Sequence, residues 1–146
     1  MVTKQNFDIV ELPPMRVAAF HAFGTEPEPK AHELMVAWTK PRGLSSRTVY
    51  GFNNPSPEHG DTEYGYEIWV QLEPEDDANG ATLKEFPGGR YAVARFWWKD
   101  EDVPAAWQKL YQDVTGDGYA LGTHQWLERE FSVPEGDGLD LMFPLA

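Results

Sequence analysis

ELPPMRVA at residues 11–18 and EFPGGRYA at residues 85–92 share Glu, Pro, Arg and Ala at a constant offset of 74 residues. Leu12/Phe86 and Val17/Tyr91 are conservative pairs within the match. Twice that offset is close to the 146-residue length, so the chain reads as one unit written twice, with halves of about 1–76 and 77–146. The flanks agree. In each copy the match lies between two short apolar runs, 7–12 and 17–23 in the first, 82–86 and 91–97 in the second. Pro13-Pro14 and Pro87-Gly88-Gly89 punctuate these runs, a signal that predicts a β-hairpin in each copy.

A helical period comes next in both. Ala31, Leu34, Met35 and Trp38 form one stripe. Thr25 and Glu28 ahead of it have the spacing of a capping box, Pro27 suits a first turn, and Pro41 and Gly43 close the helix. In the second copy Val103, Trp107, Leu110 and Val114 form the stripe. Asp100 or Asp102 is placed to cap it, Pro104 sits in its first turn, and Gly116 and Gly118 end it. Two further strand-like runs complete each copy: 47–53 with 64–72, and 125–133 with 139–145. The stretches 54–63, 73–80 and 134–138 are polar, Gly/Pro-rich connections. The predicted fold is therefore α+β and a single domain over 1–146. It is a duplicated strand–helix–strand–strand module with an antiparallel sheet of up to eight strands and two helices on one face. Two helices leave part of so wide a sheet uncovered, which predicts a central groove on a pseudo-two-fold axis.

Composition narrows the function. With 24 acidic against 12 basic side chains the formal net charge is −12. That argues against direct nucleic-acid binding, which needs clustered Lys and Arg, and favours cationic partners. There is no cysteine, so neither a disulfide framework nor a thiolate metal cluster is expected, and the cytoplasm is the default compartment. The opening MVTKQNFDIVELPP lacks the basic flank and apolar block of a signal peptide, and no run of 18 apolar residues predicts a membrane span. His32-Glu33 begins like a zinc-protease helix, but Val36 stands where the second ligand would fall. His21, His32, His59 and His124 show no paired metal spacing, and no metal or cofactor is expected. Phosphate loops, dinucleotide fingerprints and nucleophile elbows do not occur. Gly116-Asp117-Gly118 reads as a helix stop rather than a calcium loop. The acidic runs 73–77 and 100–102 read as solvated loops and a helix cap.

Two features carry chemistry. In the run 125–133, alternation puts Trp126, Glu128 and Glu130 on one face and Leu127, Arg129 and Phe131 on the other. Pattern alone does not say which face points inward. The plain reading is an edge strand with its carboxylates in water. The functional reading sets one carboxylate beside Trp in a partly dry cavity, where desolvation disfavours its charged form. A bound cation would relieve that cost, and an aromatic face adds roughly 0.5–2 kcal/mol of cation–π attraction. The second feature is the aromatic excess: six Trp, six Tyr and eight Phe. Most of these rings belong in the core. Adjacent Trp97 and Trp98 cannot be buried by the same layer, so some of this surface should line a pocket.

ELPPMRVAAFHAFG (11–24), LMVAWTKPRGL (34–44), GYEIWV (65–70), PGGRYAVARF (87–96), WLEREF (126–131) and LDLMFPL (139–145) occur in this order. Together they resemble the GyrI-like small-molecule-binding domain family, the effector-binding domain also attached to bacterial AraC-type and MerR-type multidrug regulators. The resemblance covers nearly the whole chain and implies the same duplicated fold with a ligand groove between its halves. It implies that Glu128 projects into the groove and meets cationic or polar ligands. Glu130 departs from the family, which has Tyr there. Phe96-Trp97-Trp98 departs again, where the family favours a glycine. With the aromatic set, the resemblance implies a ligand site drawn from Glu128, Glu130, Trp126, Tyr66, Trp38, Trp98 and Phe20.

The function expected is that of a stand-alone small-molecule-binding protein, a sensor or sequestering protein for an amphipathic, cationic aromatic ligand, with Glu128 as counter-charge. No helix-turn-helix is read in these residues. The alternative is a GyrI-like hydrolase of strained cyclopropane electrophiles, in which Glu128 is the general base and Glu130 or Tyr66 handles a proton. An acidic, protein-binding inhibitor of gyrase type ranks third and leaves room for a protein partner.

Overall fold

The computed structural model describes residues 6–100 and 102–146. Eight strands and two helices follow one another as β1 (Asp8–Leu12), β2 (Met15–Gly24), α1 (Pro27–Thr39), β3 (Val49–Asn53), β4 (Tyr64–Leu72), β5 (Thr82–Phe86), β6 (Gly89–Trp97), α2 (Val103–Gly116), β7 (Leu127–Val133) and β8 (Gly136–Leu145). The fold is α+β and duplicated, as the sequence predicts. Glu101, in the second acidic run, lies outside the described residues. Among the described residues, no helix is long and apolar enough to cross a membrane.

The chain forms two compact units. One holds the chain up to Pro13 together with Gly88–Ala146; the other is Pro14–Pro87. In the second, the antiparallel strand order is β3-β4-β2-β5. In the first it is β1-β6-β8-β7, again all antiparallel. This corrects the hairpin expectation. β1 pairs with β6 and β5 pairs with β2, so the first strand of each repeat lies beside the second strand of the other. Pro13-Pro14 and Pro87-Gly88 link strands that do not pair with each other. Proline at the first central position disfavours the primed two-residue turns, but it does not exclude a two-residue link, since Pro134-Glu135 joins β7 to β8.

Alternation decides the faces. In Pro14–Pro87, Ala18, Phe20 and Ala22 of β2 and Ile68, Val70 and Leu72 of β4 pack against Ala31, Met35 and Trp38 of α1. Leu34, expected in that stripe, lies at its margin and is 38% exposed. The capping-box expectation also changes. The N-cap is Glu26, with no side-chain cap bond, and Glu28 instead accepts from the Tyr64 hydroxyl at 2.6 and 2.9 Å. That pairing pushes the Tyr64 pKa up to about 12, through the hydrogen bond first and burial second. Gly43, in the left-handed region at φ 70°, ends the turn that follows α1.

In the other unit Ala92, Phe96, Leu139, Leu141, Phe143 and Leu145 pack with Leu110 and Val114 of α2. Asp102 caps α2 by accepting from the Ala105 backbone N–H at 3.0 Å. Asp102→Ala is expected to lower stability by about 1 kcal/mol, read as a fall in the denaturant midpoint at unchanged m-value. The predicted connection 134–138 is shorter than expected: β8 begins at Gly136, leaving a two-residue link from Val133.

Candidate functional site

β7 runs antiparallel to β8 with Glu128 opposite Leu141 and Glu130 opposite Leu139. Both leucines belong to the core packed on α2. The acidic face of β7 is thus the helix-bearing face, and Leu127, Arg129 and Phe131 look the other way. Glu128 is half-buried there. Trp107, on the stripe of α2, donates its Nε1–H to Glu128 Oε1 at 3.2 Å.

Trp126, immediately before β7, is 37% exposed. Its ring lies 5.4 Å from Trp107 and 4.8 Å from Phe143, and half-exposed Tyr111 adds a contact to Phe143 at 5.9 Å. The rings run in series, Tyr111–Phe143–Trp126–Trp107, with the carboxylate at the Trp107 end. The approach to β7 is held firmly. The Tyr91 hydroxyl donates to the Gln125 carbonyl, and the Gln125 side chain donates to Trp126 O at 3.1 Å. His124 Nε2 lies 2.8 Å from Arg90 O. Its ring occupies space left by Gly89 and Gly122, where a Cβ would come within 2.6 and 2.7 Å of it.

Each of the other predicted residues has its own surroundings. Glu130 is exposed, on the same strand face as Glu128. Trp98 is 49% exposed and packs edge-on against Phe96 at 5.7 Å, whereas Trp97 meets Phe131 at 5.1 Å on the face away from α2. Phe20, Trp38 and Tyr66 belong to Pro14–Pro87, on the α1 side of its sheet. Phe20 and Trp38 are buried, 5.7 Å apart, and line a pocket of about 400 Å3 with Leu34, Ala37 and Ala81. The Trp38 indole N–H is already committed to Asn79 O at 2.9 Å, and the Arg42 guanidinium lies 4.6 Å from its ring.

Tyr66 lies over Gly51, where a Cβ would stand 2.0 Å from the phenol oxygen. Gly51 faces Ile68 in β4 just as Glu128 faces Leu141 in β8. The repeat therefore carries a carboxylate at this position in one copy and a glycine beneath a tyrosine in the other.

Two residues escaped the sequence reading. Trp107 belonged to the helix stripe and to the aromatic set but not to the expected ligand site, although an indole always brings one N–H donor to what it packs on. Glu67 was passed over inside GYEIWV. It is 2% exposed and accepts from Trp69 Nε1 at 2.6 Å, Lys84 Nζ at 2.7 Å and Asn54 Nδ2 at 3.1 Å. Burial pushes its pKa up, and the hydrogen bonds from Lys84, Trp69 and Asn54 outweigh it, so the carboxyl lies below the ordinary glutamate value. A lone carboxylate in an otherwise apolar strand run was the available signal. With every donor directed at it from its own surroundings, Glu67 is a structural group.

The family of integron-associated effector binding proteins, Cass2, matches residues 8–131. DNA gyrase inhibitor 1 of Dickeya dadantii (strain 3937) is 23% identical over 124 residues, 80% of each chain. Among solved structures, the EcmrR C-terminal domain aligns with a TM-score of 0.67 at 10% identity, covering 100% of this chain and 99% of that one. SAV2435 bound to tetraphenylphosphonium aligns at 0.55 and 12% identity, covering 96% and 93%. At such identities the structural likenesses establish the fold.

Proposed function

Because the chain belongs to the Cass2 family of integron-associated effector binding proteins, within the GyrI-like group its motifs indicate, we propose that it binds an amphipathic, cationic aromatic small molecule as a sensor or sequestering protein. The ligand lies on the α2-bearing face of β7, with Glu128 as counter-charge and Trp107 and Trp126 as its aromatic contacts. The observation that carries this reading is the Glu128 carboxylate held at 3.2 Å by the Trp107 indole and followed by a partly exposed ring, Trp126. A half-buried carboxylate is more favourably neutralised by a weakly hydrated organic cation than by a metal ion, because the cation loses little hydration. Exposed Glu130, two residues along the same face, adds to the negative potential that attracts it. A structural relative with bound tetraphenylphosphonium supports the class of ligand.

Tetraphenylphosphonium is the probe of choice. Titration into the protein is expected to quench tryptophan fluorescence and raise the melting temperature, whereas uncharged tetraphenylmethane analogues of equal size bind at least about tenfold more weakly, a difference of ~1.4 kcal/mol. Equal binding of the charged and neutral probes would remove the counter-charge role. Turnover of a strained-ring electrophile, with product released and Glu128→Gln inactive but folded, would replace binding by hydrolysis.

A further inference from the structure

Glu67 and Asp140 are counterparts. Glu67 faces His21 across β2–β4 and Asp140 faces Arg95 across β6–β8, and His21 and Arg95 stand at the repeat offset. Both carboxylates are buried on the sheet face away from their own helix. Their neutralisation differs. One lysine and two neutral donors satisfy Glu67. Asp140 instead lies between two guanidiniums, Arg95 Nε at 3.2 Å from Oδ1, and Arg129 Nε and Nη2 at 3.3 and 3.1 Å from Oδ2. One carboxylate against two permanent cations leaves an excess positive charge in a protein whose net charge is −12.

That excess is held in place. The Arg95 guanidinium lies 3.9 Å from the Phe131 ring centre and 5.7 Å from that of Trp97, and Lys99 Nζ lies 5.8 Å from the Trp97 ring. Among the described residues, both Nη groups of Arg95 and Nη1 of Arg129 have no hydrogen-bond partner, and the two side chains keep 44% and 27% of their surface open to solvent. Among the described residues of β1, β6, β7 and β8, Asp8, opposite Val93, is the other carboxylate on this face, and it makes no ion pair with Arg95. Guanidinium forks with open N–H groups match the geometry of an oxyanion, and bonds between ionised groups are the strong ones. Neutralising Asp140 alone would not call for a second arginine, since its counterpart needs a single cation.

We propose that Arg95 and Arg129, with Lys99 at the rim, form a binding site for the oxyanion of a small molecule, a carboxylate or phosphate group, on the face of β6 and β7 away from α2. The site is separate from Glu128 and opposite to it in charge preference. A molecule carrying such a group binds there whether or not a cation occupies the α2 face.

The test is calorimetric titration of the intact protein with inorganic phosphate and, separately, acetate, at constant ionic strength set by chloride. Saturable binding of either anion at a stoichiometry of one is expected. Phosphate alone assigns the site to phosphate-bearing molecules, and both assign it to oxyanions generally. Arg129→Gln is expected to weaken the anion about tenfold or more, and Lys99→Gln, which leaves the Asp140 bonds intact, to weaken it several-fold. Asp140→Asn releases both guanidiniums and is expected to tighten it, with phosphate recovering the melting temperature that variant loses. A structural ion pair would show none of this. Absence of saturable binding to the wild type, or unchanged affinity in both Arg129→Gln and Lys99→Gln, overturns the proposal.

Discussion

Glu128→Gln is expected to weaken tetraphenylphosphonium about tenfold to thirtyfold, ~1.4–2 kcal/mol, while leaving binding of a neutral aromatic probe within about twofold. Glutamine keeps the shape of the side chain and an oxygen that accepts from Trp107 at the same position, so ring packing survives and charge alone is removed. The residual affinity of the variant measures what Trp107 and Trp126 contribute through area and ring polarisability. Trp107→Phe should behave differently. Its smaller ring offers less area, so a loss of about threefold for charged and neutral probes alike is expected, with a further loss for the charged probe because the donor that orients Glu128 is withdrawn. Fluorescence quenching and calorimetry on the three proteins separate the cases. Wild-type affinity for the cation in Glu128→Gln would place the counter-charge elsewhere.

The position of Glu128 was legible for a particular reason. WLEREF alternates a ring, an acid and a second acid on one strand face, and the repeat placed that strand in the fold. What the pattern could not supply was the face that looks toward α2. That depends on Leu139 and Leu141 in the neighbouring strand, whose own alternation, LDLMF, points both ways because β8 is buried on both sides. The strand exchange at Pro13-Pro14 was not legible in the local pattern. Proline signals a turn by composition but not which strands the turn joins: Pro134-Glu135 closes the β7–β8 hairpin, whereas Pro13-Pro14 and Pro87-Gly88 link strands that do not pair. Thr25 and Glu28 had the spacing of a capping box, but Pro27 starts the helix and Glu28 finds the Tyr64 hydroxyl, a contact 36 residues away that no local pattern encodes. Glu67 and Asp140 were hidden for the same reason: their charged partners, Lys84 for one and Arg95 and Arg129 for the other, come from other strands, and only the register of the sheet aligns them.

Lys84→Met should cost about 2–3 kcal/mol at neutral pH and change the sign of the pH dependence contributed by Glu67. This is below the 3–5 kcal/mol typical of a fully buried charge left alone, because Lys84 is itself 43% exposed and water partly replaces it. In the wild type the folded-state pKa of Glu67 is depressed. Its contribution is therefore present above the unfolded value, about 4.3, and is lost as pH falls through the lower folded value. Without Lys84, the neutral donors of Trp69 and Asn54 remain, and burial, the largest opposing influence, prevails. The folded pKa then lies above the unfolded one, so stability is highest in acid and falls as pH rises from about 4.3 toward the new value. The gap between variant and wild type should accordingly be widest near pH 7 and narrow on acidification. Urea unfolding at a series of pH values reads both effects. Glu67→Gln in the Lys84→Met background removes the abandoned charge and should recover most of the loss, giving a coupling energy of the same order as the single-variant cost. Parallel pH profiles for wild type and Lys84→Met would show that Glu67 is not held as a carboxylate by this lysine. In that case the buried face of β4 would owe its stability to Phe52, Trp69 and Phe86, whose rings stand 4.8 and 5.5 Å apart around it.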